Sequence, residues 1–135
     1  MPEKPSPYRH FKALVVDDNN YARKLSEYAL RKIGFQDILL ALSVEHATQS
    51  IESCSGRIDL IVSDWNMPEK DGLDFFKELK QDPKTASIPF IMLTGMTGAE
   101  AIKEAQQEGI QYYLVKPFTE ASLRTKVDHI FKDKI

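Results

Sequence analysis

Five short apolar runs, each followed by a segment of helical period, constrain this chain more than any other feature of it. The runs are "KALVV", "DILLA", "IDLIV", "PFIML" and "YYLV", each of the length of a strand rather than of a helix. After the first, Tyr21 to Ile33 carries Ala22, Leu25, Ala29 and Ile33 on one face and closes at Gly34, as an amphipathic helix with a glycine stop would. Ser43 opens a second helix in which Val44, Ala47, Ile51 and Cys54 share a face before Gly56, which places Cys54 in the core. Leu73, Phe76 and Leu79 mark a third helix that must end before Pro83, because proline cannot continue it. Ile102 and Ala105 mark a fourth, leading to Gly109, and Thr119 caps a fifth with Leu123, Val127, Ile130 and Phe131 inward. Alternation of this kind, with strands apolar almost throughout, predicts an α/β fold: a (βα)5 doubly wound five-stranded parallel sheet, covered by helices on both faces and built through right-handed crossovers.

The first ten residues, "MPEKPSPYRH", are rich in proline and polar groups and have no period. They read as a flexible N-terminal tail over 1–10, with one domain over 11–135. A formal net charge of -2, with acids and bases interspersed, leaves no basic excess for coating a nucleic acid backbone or an anionic membrane. Neither direct nucleic acid binding nor membrane insertion is expected. The single cysteine cannot form an internal disulfide, and no apolar run reaches the length of a membrane span, so a reducing cytoplasm is the expected location. His10, His46 and His129 fall in the tail and on helices with no serine or cysteine nucleophile beside them, and read as surface residues. Lys126, Lys132 and Lys134 of the last helix read as a solvated face.

In an open parallel sheet the functional crevice lies beyond the carboxyl ends of the strands. The first strand ends there in Asp17 and Asp18, the third in Asp64, the fourth in Thr94 and Gly95, and the fifth in Lys116 and Pro117. Carboxylates brought together repel, by about 4 kcal/mol for a pair roughly 4 Å apart in an effective dielectric near 20, so the cluster needs cations. Lys116 is one. An all-oxygen donor set without a nearby imidazole or thiolate selects a hard ion such as Mg²⁺, which keeps waters and shares its shell with phosphate. With a threonine hydroxyl for a phosphoryl oxygen and a lysine for its charge, Asp64 is placed to accept a phosphoryl group as an acyl phosphate, and Gly95 leaves room for it to enter.

Each piece has an ordinary explanation alone. "DDNN" supplies a helix N-cap, Asp64 a turn acid, Thr94 a strand-end hydroxyl and Lys116 a solvated end. Those explanations do not place three acids, a hydroxyl and a lysine on the same edge of one sheet. A haloacid dehalogenase-type phosphatase uses the same groups, but with a D-x-D motif on its first strand and its acid pair last. Flavodoxin-like cofactor binding is disfavoured because "DDNN" would repel a phosphate where a Ser/Thr/Gly-rich loop should cradle it.

The strings "LVVDD", "VSDWNMP" followed by "DGL", "MLTG" and "VKPFT" resemble the receiver domain of two-component response regulators, most of all its single-domain, CheY-like chemotaxis members. The resemblance extends over the chain beyond the tail. It implies the flavodoxin-like/CheY-like strand order 2-1-3-4-5 and a phospho-accepting signalling module rather than an enzyme in the ordinary sense. By resemblance, Asp64 would be phosphorylated by a histidine kinase of the CheA-like kind. Asp17, Asp18, Asp64 and the backbone carbonyl of Asn66 would hold Mg²⁺, and Lys116 would contact the phosphoryl oxygens. Thr94 and Tyr113 would switch together, remaking a partner face that includes Ile102, Tyr113 and Lys126, and the Lys116–Pro117 peptide would be cis. A phosphoryl group adds about two negative charges, enough to shift populations toward the arrangement that brings hydroxyl and ammonium closest.

The implied partners are the kinase, a downstream target such as a flagellar switch protein, and a phosphatase. A stand-alone regulator of chemotaxis or flagellar motor control is expected; a phosphoryl sink, a phosphorelay intermediate or a receiver excised from a larger regulator is the alternative. Asn66 and Met96 flank the path of water to the acceptor and would tune dephosphorylation. The chemotaxis relatives carry glutamate at the Met96 position and lysine at that of Ala99.

Overall fold

The computed structural model describes residues 6–95 and 99–134. Its elements are β1 (Lys12–Val16), α1 (Asn20–Ile33), β2 (Asp37–Ala41), α2 (Val44–Ser53), β3 (Leu60–Asp64), α3 (Gly72–Gln81), β4 (Phe90–Thr94), α4 (Ala99–Gln107), β5 (Tyr112–Val115) and α5 (Glu120–Phe131). The strands are parallel and ordered β2-β1-β3-β4-β5, as the alternation and the resemblance require. β3 and β4 are buried at every residue, which is why their sequences show no polar alternation.

Two apolar cores lie on opposite faces of the sheet. One joins Leu14, Val16, Ile61 and Met92 to Val44, Ala47 and Ile51 of α2, Phe75, Phe76 and Leu79 of α3, and Ala105 of α4. The other joins Ala13, Val15, Val62 and Leu93 to Ala29, Leu30 and Ile33 of α1 and Leu123, Val127 and Phe131 of α5. Cys54 is half-buried and packs against the first core, as expected. The helices start where the sequence places caps. Ser43, Asp71 and Thr119 each accept from a backbone amide of the first turn, and Asp71 and Thr119 form full capping boxes.

The structure corrects two sequence readings. Leu25, expected on the inner face of α1, is 47% exposed, and the buried stripe is Ser26, Ala29, Leu30 and Ile33. The small Ser26 lets the helix lie close to the sheet, and it turns Tyr21, Leu25 and Tyr28 outward. Tyr8, in the tail expected to fray, is instead packed, between residues of which Pro7 and His10 stay exposed. Tyr8 is 2% exposed, its ring stacked on Phe35 and edge-on to Phe131, and its phenol donates to Asp128 of α5. Burial, that hydrogen bond and the Asp128 charge all push the Tyr8 phenol well above its ordinary pKa. Ser6 donates to the carbonyl of Ile33. A single aromatic in a polar tail, able to fill a gap between the ends of α1 and α5, outweighs the composition around it.

Gly72 sets how closely α3 approaches the end of β3. Its amide donates to the Trp65 carbonyl at 2.8 Å, and a Cβ there would lie 2.4 Å from the Asp64 carbonyl oxygen and 2.8 Å from the Met92 sulfur. Backbone cannot yield cheaply at that distance. Gly72→Ala is expected to destabilise the protein by about 1–3 kcal/mol, in the range of overpacked cores, measured as a lower urea midpoint. An unchanged midpoint would mean that the loop from Trp65 to Asp71 has slack.

Candidate functional site

The sheet register builds the site. Val16 pairs with Ser63, so Asp17 and Asp64 lie side by side one step beyond the end of that ladder. Asp64 pairs in turn with Leu93, and Thr94 with Val115. The backbone continues the sheet at each position: Asp17 donates to Ala41, Trp65 to Leu93 and Lys116 to Thr94. Alternation along a strand puts Asp17 on the face of Val15, Asp64 on that of Val62 and Lys116 on that of Leu114, the face covered by α1 and α5. Thr94 alternates with Met92 and belongs to the other face.

Lys116 closes the cluster. Its Nζ lies 2.8 Å from Asp64 Oδ1 and 3.3 Å from Asp17 Oδ2. The other oxygen of Asp17 accepts from the Asn19 amide at 2.9 Å, so a carboxylate only 1% exposed has both oxygens engaged, as a buried charge requires. Asp18 is exposed, and its carboxylate makes no hydrogen bond to the described residues. Ligand oxygens of Asp17, Asp18 and Asp64 all lie within 4.8 Å of one another. Three acids and one ammonium leave an excess of negative charge at an oxygen-only pocket, the donor chemistry and charge that suit a hard divalent cation.

Asp64 is buried and Lys116 half-buried. Burial pushes the Asp64 carboxyl above the ordinary carboxylate range; the hydrogen bond and charge of Lys116 oppose that rise, and the charge of Asp17 adds to it. For Lys116, burial disfavours the ammonium, but the Asp64 hydrogen bond and the charges of Asp17 and Asp64 outweigh it and hold the ammonium above the ordinary lysine range.

The remaining expected residues fall around it. Thr94 is 1% exposed. Trp65, 5% exposed, packs into the first core directly after Asp64, and Asn66 follows it at the surface. The Lys116–Pro117 peptide is cis, as the resemblance implied. Tyr113 and Ile102 are half-buried, Tyr113 against the first core, and Lys126 is half-buried on α5. Met96 lies outside the described residues. His10, His46 and His129 are exposed, with His46 Nδ1 accepting the Leu42 amide and His129 edge-on to Tyr112. Sequence reasoning passed over Arg23, which donates to the Asp17 carbonyl at 2.9 Å. The available signal was a base one turn into a helix that follows two acids.

The family model for the response regulator receiver domain matches residues 13–128. Chemotaxis protein CheY1 of Helicobacter pylori is 36% identical over 119 residues, 87% of this chain and 94% of its own. Among solved structures, chemotaxis protein CheY4 of Vibrio cholerae superposes with a TM-score of 0.80 at 29% identity, covering 89% of this chain and 98% of that one. The CheX–CheY–BeF3–Mg²⁺ complex from Borrelia burgdorferi does so with a TM-score of 0.80 at 25% identity, covering 90% and 89%.

Because the folded state raises the Asp64 pKa, the native protein binds more protons than the unfolded chain between the two values, and stability falls there as pH rises. The penalty is absent below the ordinary carboxylate range and grows as the pH rises from there towards the raised value. Asp64→Asn is therefore expected to raise the melting temperature in metal-free buffer at pH 7, with a gain that shrinks towards zero as the pH approaches about 4. A gain independent of pH would place its origin outside the titration of Asp64.

Proposed function

The chain belongs to the response regulator receiver family, a family of signalling modules, and from that premise we propose that it is phosphorylated on Asp64 by a histidine kinase and thereby changes its affinity for a partner protein. The observation that carries this reading is the bridge of Lys116 between Asp17 and Asp64 beside a third carboxylate. In the transfer the P–N bond of a phosphohistidine breaks and a P–O bond to the Asp64 carboxylate forms, while the imidazole regains its proton. Mg²⁺, held by Asp17, Asp18, Asp64 and the Asn66 carbonyl, would supply charge neutralisation to the phosphoryl oxygens. The Lys116 ammonium would follow the new phosphoryl charge, and the Thr94 hydroxyl would turn to donate to one of its oxygens.

That redistribution is how the site would reach a partner. Thr94 belongs to the β4 end from which the chain passes to α4, and Tyr113 lies on the neighbouring β5. Ile102, Tyr113 and Lys126 together form the proposed partner face across α4, β5 and α5. The chemotaxis names of the relatives support a role in chemotaxis, for which a flagellar switch protein is the proposed target, and the Borrelia burgdorferi complex with CheX, BeF3 and Mg²⁺ supports both the metal and a protein partner. A cytoplasmic location belongs to the same reading; among the described residues no helix is long and apolar enough to cross a membrane.

A small phosphodonor with Mg²⁺ is expected to label the protein once, at Asp64, and Asp64→Asn to reduce labelling to background. Mass spectrometry of the intact protein reads both, and undiminished labelling of the variant would sink the proposal. Residue type at position 96 leads to a second expectation. Methionine neither accepts a proton nor orients water, and its flexible apolar chain excludes solvent. Met96→Glu should shorten the lifetime of the phosphorylated protein after donor removal at constant Mg²⁺. Equal lifetimes would show that position 96 does not govern water access.

A further inference from the structure

We infer that Arg23 is a positioning residue of the acidic pocket: its guanidinium holds the peptide between the two adjacent acids and so fixes the direction in which Asp18 presents its carboxylate. The inference rests on reading the pocket as a Mg²⁺ site. Arg23 Nη1 donates to the Asp17 carbonyl at 2.9 Å and Nη2 to Asn20 Oδ1 at 2.6 Å. Asp17 is otherwise already fixed, by its amide on Ala41, by the Asn19 amide on Oδ1 and by Lys116 on Oδ2. The Asp17 carbonyl is one end of the Asp17–Asp18 peptide plane, and rotation of that plane carries the Asp18 Cα–Cβ bond with it. Asp18 itself is exposed, and its carboxylate has no hydrogen bond to the described residues. Among the described side chains, Arg23 is thus the one that restrains the Asp17–Asp18 peptide through its carbonyl.

Local helix energetics do not account for this placement. The first turn of α1 contains no acid, and Arg23 follows one residue later, at the positive end of the helix dipole, where a cation is unfavourable. A residue that breaks a local rule beside a cluster of charged groups points to a function that compensates. The fork of the guanidinium reaches the carbonyl and the Asn20 amide oxygen together, and so ties the loop carrying both acids to the first turn of the helix.

Positioning and simple electrostatics predict opposite outcomes, which makes the idea testable in the full chain. If Arg23 orients the ligand loop, Arg23→Ala weakens Mg²⁺ affinity about tenfold, the low end of the effect of removing groups that orient metal ligands, and Arg23→Lys and Arg23→Gln, which keep a donor, recover part of it. If Arg23 acts only as a nearby positive charge, Arg23→Ala and Arg23→Gln both bind Mg²⁺ more tightly than the native protein. Titration calorimetry with Mg²⁺ measures the affinity, and melting in EDTA checks that each variant is folded; should Arg23→Ala fail to fold, the Gln variant decides. Tighter or unchanged binding in the Ala and Gln variants overturns the inference. A native protein that binds no Mg²⁺ overturns the reading of the pocket itself, and the inference with it.

Discussion

A single ammonium shared by two buried carboxylates is the interaction on which the rest of this structure depends. Asp17 and Asp64 are neighbours because β1 and β3 end in register, and without Lys116 the two charges would face each other across a strand spacing with little water between them. A buried ion cluster of this kind contributes little net stability, since desolvation consumes most of the Coulombic gain. Its significance lies in being neutralised only in part. The pocket keeps a surplus of negative charge, and the lysine can exchange one anionic partner for another without leaving its place.

Much of this was legible from the sequence because strand ends are legible. Short apolar runs fix where each strand stops, and the residue after each stop must lie on one edge of a parallel sheet, so Asp17, Asp64, Thr94 and Lys116 converge by topology alone. Details that depend on relative rotation or on distant packing were not legible. The stripe of Ala22, Leu25, Ala29 and Ile33 satisfies helical period as well as that of Ser26, Ala29, Leu30 and Ile33, and only the sheet beneath decides between them; it favours the one that contains a small polar residue. Tyr8 belongs to a segment whose composition is that of a tail, and its burial depends on Phe35 and Phe131, which the fold alone brings together. Arg23 and Gly72 act through backbone atoms of other residues, and no pattern of side-chain types records that.

The site also straddles the sheet. Asp17, Asp64 and Lys116 continue the face packed by α1 and α5, whereas Thr94 continues the face packed by α3 and α4. A phosphoryl group contacting both Lys116 and Thr94 would thus draw on two separate cores at once. Between them lies only the edge of the sheet, so tightening on one side need not be relayed through the interior to be felt on the other.

The packing of α5 is uneven along its length. At its far end Phe131 is gripped by Phe11, Phe35 and Tyr8, with Tyr8 also bound to Asp128; at its near end the helix begins just after Lys116 and Pro117, beside a groove of about 450 Å³ shared with α1. The segment from Tyr8 to Phe11 therefore anchors the end of α5 that lies farthest from the ion cluster, so one helix joins the packing of the chain's first described residues to the edge of the sheet that carries Lys116.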